Sequence, residues 1–137
     1  MLKKLLVIFL MIACLTGVWL ASIRPEFYGF SESFEIYSKL NSSGEIYKAN
    51  VNFFHRYGNI KGESFKCEKD SFNIHKFIDK FDVTIIFTEE IDEGTSYYGY
   101  SNKIKYKKQF NGRTINVHIF VGKEQVTVGS PIIFGSF

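Results

Sequence analysis

From Leu5 to Ile23 the chain runs LLVIFLMIACLTGVWLASI without a charged residue. A helix rises about 1.5 Å per residue, so this run matches the roughly 30 Å hydrocarbon core of a bilayer. Lys3 and Lys4 precede it and Trp19 lies near its far end, which puts the N-terminus inside and the rest of the chain outside. A signal peptide has an apolar core of roughly 7–15 residues and small residues before its cut. Here the core is longer, and a cut after Ala21 or Ser22 places Trp19 or Leu20 at the third position back. Residues 1–23 therefore read as a signal peptide or membrane anchor, with a retained anchor favoured. Met11-Ile12-Ala13-Cys14 has the outline of a lipoprotein box, but apolar sequence continues past Cys14 and argues against processing there.

Residues 24–30 read as a short linker and 31–137 as an extracytoplasmic domain. Ser31 can cap a helix over 32–41, with Phe30, Phe34, Tyr37 and Leu40 on one face. Residues 46–57 alternate as a strand with one wet face, and Gly58-Asn59 and Gly62 mark turns. A second amphipathic helix is predicted over 71–80, capped by Ser71 or Asp70. Strands follow at 83–88, with Val83, Ile85 and Phe87 on one face, and at 95–106, with Gly99 as a bulge or kink. Glu89–Gly94 reads as an acidic turn. Asn111-Gly112 is a hairpin turn followed by a strand over 113–121, and 125–128 pairs back. Pro131–Phe134 is a last extended piece. The order predicts an α+β domain: a small antiparallel sheet with two helices packed on one face.

Composition narrows the chemistry. Two cysteines among 137 residues exclude a disulfide-dense scaffold, and Cys14 lies within the predicted membrane span while Cys67 lies outside it, so the two are not expected to pair. Cys67 reads as a partly buried structural thiol. His55, His75 and His118 lack the close helical spacing of a zinc site, and His118 is expected to face water or a helix. Glu89, Glu90, Asp92 and Glu93 lack the ligand spacing of a calcium loop. There is no G-x-S-x-G, P-loop or dinucleotide fingerprint, so neither an enzyme nor a cofactor is expected.

Charge is more informative. Residues 24–93 hold 9 Lys/Arg against 13 Asp/Glu, and residues 94–137 hold 6 against 1. Lys103, Lys105 and Lys107 alternate with Ile104 and Tyr106, which on a strand puts three ammoniums on one face. Lys108 and Arg113 flank the next turn. These five residues are the candidate anionic-ligand site, with Tyr98 and Tyr100 as a candidate aromatic platform.

The run SESFEIYSKLNSSGEIYKANVNFFHRYG, the pair Tyr100-Ser101 ahead of NGRTINVHIFV, and the closing VTVGSPII together resemble the YwmB-like exported proteins of Gram-positive bacteria. The resemblance covers most of residues 31–134. It implies a fold similar to the TATA-box-binding protein and a setting in the cell envelope, during remodelling or sporulation. It carries over no catalytic residue. The chain departs from the family in its shortness and in ending Gly135-Ser136-Phe137. The expectation is a non-catalytic envelope module, membrane-anchored or secreted, that binds an anionic polymer or lipid through the basic strand. The alternative is a protein-interaction subunit of an envelope or sporulation complex, using a sheet edge near Gln125–Phe134. No nucleic-acid partner is expected for an exported domain whose net charge is +1 once Lys3 and Lys4 are set aside.

Overall fold

A computed structural model of the chain describes residues 1–22, 27, 30, 34–37, 46–49 and 61–134. Helix α1 spans Leu2–Ser22. Leu5, Ile8, Leu10, Ile12 and Val18 on it are each more than half exposed, so it is apolar on every side. Among the described residues, no helix is long and apolar enough to cross a membrane. The α1 backbone continues four residues beyond Val18, to Ser22.

The domain is α+β. Its strands are β1 (Phe34–Tyr37), β2 (Ile46–Ala49), β3 (Gly62–Glu68), β4 (Thr84–Ile91), β5 (Gly94–Tyr100), β6 (Lys108–Phe110), β7 (Arg113–Ile115), β8 (Val117–Gly122) and β9 (Gln125–Ser130). Seven form one antiparallel sheet in the order β2-β1-β3-β9-β8-β5-β4, and β6 and β7 form a separate ribbon.

Two expectations fail at the start of the domain. Phe34–Tyr37 is a strand, not part of a helix over 32–41; its backbone pairs with both β2 and β3. The rest of that expected helix, and residues 50–57 of the expected strand, lie outside the described residues. Strand β3 occupies a stretch that carries no alternation signal, because Glu63 is buried on it. The Glu63 carboxylate accepts from the Phe27 N–H at 2.9 Å. Phe27 and Phe30 are thus core rather than linker. The Phe27 ring is fully buried, 5.5 Å from Phe65, 5.5 Å from Phe77 and 5.6 Å from Phe81.

Helix α2 (Ile74–Phe81) is the one domain helix on this face among the described residues. It starts later than expected because a 3-10 turn takes Lys69–Ser71 and Asn73 is the cap, accepting from Lys76 N–H at 2.9 Å. Phe77 and Phe81 point inward with Ile74 and Ile78 beside them. They meet Phe65, Val117, Ile119, Val126 and Val128 of the sheet. Each such side chain contributes roughly 1.5–3 kcal/mol by leaving water.

The opposite face is covered too. The β4–β5 ladder slips between Ile85 and Phe87, leaving Ile86 as the extra residue. That bulge breaks parity: Ile85 packs toward α2, while Phe87 turns to the other face and stacks on Tyr98, its ring centroid 4.4 Å away. Val83, Ile85 and Phe87 therefore do not share a face. Gly99 sits opposite the bulge, where a Cβ would come within 2.7 Å of Val83 Cγ1. The β6–β7 hairpin lays Phe110 over Phe87 and Tyr98, at 5.9 and 5.1 Å. Its turn uses Asn111 and Gly112 at φ 49° and 73°, the left-handed pair a two-residue hairpin requires.

Strand β5 ends at Tyr100, so residues 101–107 are not strand. Ser101 and Asn116, both buried, hold this segment instead. Asn116 Oδ1 accepts from Ser101 N–H at 2.7 Å, and its Nδ2 donates to the carbonyls of Ser101 at 2.5 Å and Ile104 at 2.9 Å. Ser101 Oγ donates to the Phe81 carbonyl at the end of α2 and accepts from Lys103 N–H at 3.0 Å. Asn116 also divides the expected strand 113–121 into β7 and β8. Replacing Asn116 with Ala strands three buried backbone groups. Urea unfolding of N116A should show a loss of roughly 3 kcal/mol, against less than about 0.5 kcal/mol for the exposed control K123A.

Candidate anionic-ligand surface

Alternation along 103–107 persists without a strand. Lys103, Lys105 and Lys107 are exposed, Ile104 is buried in the core and Tyr106 is half-buried. The clasp on Ser101 and Ile104 sets this pattern by pinning the backbone so that Ile104 points inward. The expected strand face is replaced by an extended segment whose cations lie against different parts of the fold. Lys103 Nζ donates to the Lys80 carbonyl at 3.3 Å. Lys105 Nζ lies 5.8 Å from the Tyr106 ring centre. Lys107 Nζ donates to Tyr100 Oη at 2.9 Å and lies over its ring. Lys108 Nζ lies 5.2 Å from the Phe134 ring centre. Arg113 donates to the Ile86 carbonyl at 3.1 Å, taking up an acceptor on the bulge.

Of the two candidate platform rings, Tyr100 stays half-exposed under Lys107. Tyr98 is 5% exposed, with Phe87, Phe110 and His118 stacked against it. It is a core ring, not a platform, because the hairpin closes over it. Burial pushes its phenol above the ordinary range.

His118 is the residue that alternation misplaces. It faces neither water nor a helix: its ring is 4.3 Å from Tyr98, and it is 2% exposed. Nδ1 accepts from the Ile133 N–H at 3.3 Å, which leaves Nε2 to donate to Ser96 Oγ at 3.2 Å. The tail 131–134 therefore folds back over the sheet, with Ile133 against Gly129. His75 is exposed on α2, and His55 lies outside the described residues.

Other chemistry is sparse. Cys67 is half-buried and burial pushes its thiol up, away from reactivity. Among the described residues no group of three or more His, Cys, Asp or Glu could hold a metal ion. Glu89 and Glu90 belong to β4, opposite Ser96 and Thr95, so the acidic turn shrinks to Asp92 and Glu93. An open cleft of about 300 Å³ lies beside that turn, between Glu90, Asp92, Glu93, Lys69 and Lys123. Strand β9 is flanked by β3 and β8, so Gln125–Ser130 is not a free sheet edge.

Compared with protein-family models, curated proteins and solved structures, the chain matches none.

Burial pulls His118 down from its ordinary 6.5 to about 4. The unfolded chain therefore binds the extra proton between those values, and stability falls as pH drops through them. The loss approaches roughly 3 kcal/mol by pH 4. Urea midpoints measured at pH 7 and pH 4.5 should fall more steeply for the native chain than for H118Q, which cannot titrate there.

Proposed function

We propose that the chain is a non-catalytic module of the cell envelope. Helix α1 holds it in the membrane with the domain outside, and the surface around residues 103–113 binds phosphate-rich anionic polymer or lipid. The observation that carries this is the display of Lys103, Lys105 and Lys107 on a segment fixed by the buried Ser101–Asn116 clasp. Cations held on a rigid frame lose less freedom on meeting a ligand than cations on a loose loop. No acidic residue lies between Gly94 and Lys123 to neutralise them in sequence. The apolar surface of α1 supports the anchor: residues exposed on every side of a helix need lipid around them. Lys3 and Lys4 at its start support the orientation.

The YwmB-like assignment, and with it a fold like that of the TATA-box-binding protein, belongs to the same proposal. The bonded pair Ser101 and Asn116 supports it, since both stand in the motifs that carry the resemblance. The strand at Phe34–Tyr37 weighs against the helix that opens the quoted run.

The test is retention of the full chain, in neutral detergent, on immobilised polyglycerol phosphate. Retention at low salt should be lost at roughly 0.5 M NaCl, where screening leaves only contacts within a few ångströms. Exchanging Lys103, Lys105, Lys107, Lys108 and Arg113 for Gln should abolish it with the melting transition intact. Unchanged retention of that variant contradicts the proposal.

A further inference from the structure

The strand register gives the sheet two unlike ends. Glu63 pairs with Ser130, Gly99 with Val117 and Thr84 with Tyr100 at one end; Glu68 pairs with Gln125 and Ile91 with Gly94 at the other. Strand β4 spans eight residues between them, about 23 Å from first Cα to last. The first end receives the chain, because Phe27 is fastened there by Glu63. The same end carries the segment that follows Tyr100 and the C-terminus of α2, which leads into β4. The far end carries Glu90, Asp92, Glu93 and Glu124 together with Lys69 and Lys123.

We propose that the end bearing Lys80 and Lys103 rests on the anionic lipid headgroups of the same bilayer that holds α1, with the acidic β4–β5 turn directed away. The inference rests on the proposed anchoring and names lipid as the partner. Four residues, hence five Cα–Cα steps, separate Ser22 at the end of α1 from Phe27. Fully extended they reach about 18 Å, so the receiving end cannot stand far from the headgroups. Lys80 Nζ lies 4.6 Å from the centre of the Phe30 ring, three residues after Phe27, and the Lys80 carbonyl accepts from Lys103 Nζ. The ammoniums of Lys80 and Lys103 therefore sit beside the chain that emerges from the membrane. Among the described residues their partners are ring faces and a carbonyl, which leave the positive charge in place. Asp79 and Asp82 share this end of α2, so the attraction is modest and acts through the tether: a short linker supplies a high effective concentration that a weak contact alone lacks.

Lysine acylation, read by mass spectrometry on the full chain in nanodiscs, tests this. In discs containing anionic phosphatidylglycerol, Lys80 and Lys103 should acylate more slowly than in neutral discs. The drop should be about fivefold, the scale of one lysine's attraction to an anionic surface. It should vanish in roughly 0.5 M NaCl, and Lys123 at the far end should be unaffected. Equal acylation of Lys80 and Lys103 in both discs overturns the inference. If soluble polyglycerol phosphate then protects Lys103, Lys105 and Lys107 in neutral discs, the proposed function stands without it. If neither ligand protects, both fall. A chain that elutes free of the discs overturns the anchoring and the inference with it.

Discussion

One buried amide holds the lysine-bearing half of this domain together. Asn116 leaves the sheet between β7 and β8 and turns its side chain onto the backbone of Ser101 and Ile104. Ser101 in turn bonds the last carbonyl of α2. Through two side chains, the helix, the end of β5, the lysine segment and the hairpin strand share a single network. A buried backbone group without a partner costs more than a made bond gains, so the alternatives to this arrangement are penalised heavily. Ile104 is driven inward as a consequence, and the lysines on either side of it are driven out.

The second constraint is that both faces of the sheet are covered. Helix α2 and the Phe27 cluster take one face; the β6–β7 hairpin and the folded-back tail take the other. Period-two alternation assumes one wet face. It therefore found β8 only as part of one strand over 113–121, and sent His118 to water or a helix, although a hairpin and a tail lie over it. The same assumption placed Tyr98 among the exposed rings. Local chemistry was more legible. Asn111-Gly112 announced its hairpin, and the amphipathic pattern over 71–80 announced α2. The segment FEIY fits either period over so short a span, and its strand depends on pairing with β3 far along the chain. The bulge at Ile86 left no mark except Gly99, whose close contact with Val83 is visible only once the strands are paired.

The candidate site was legible as residues and not as geometry. The charge imbalance between the two halves of the chain identified Lys103, Lys105 and Lys107. Their spacing suggested a strand, but the clasp, whose parts lie fifteen positions apart in sequence, replaces it. What the fold adds is polarity. Lys80 and Lys103 lie at the sheet end where the chain enters, beside Asp79 and Asp82, and Glu90, Asp92 and Glu93 lie at the other end with Lys69 and Lys123. Under the proposed anchoring, a tether of a few residues would turn that polarity into an orientation relative to the membrane, which composition alone could not express.

Everything assigned to the lysine segment depends on its being a fixed part of the domain. Amide hydrogen exchange at Ser101 measures this most directly, because that N–H is held by Asn116 Oδ1 inside the fold. The account requires the Ser101 amide to exchange as slowly as the central amides of β8, opening only with global unfolding. Exchange at the rate of an unstructured peptide, with β8 still protected, would mean that the segment is loose and that its cations have no built arrangement.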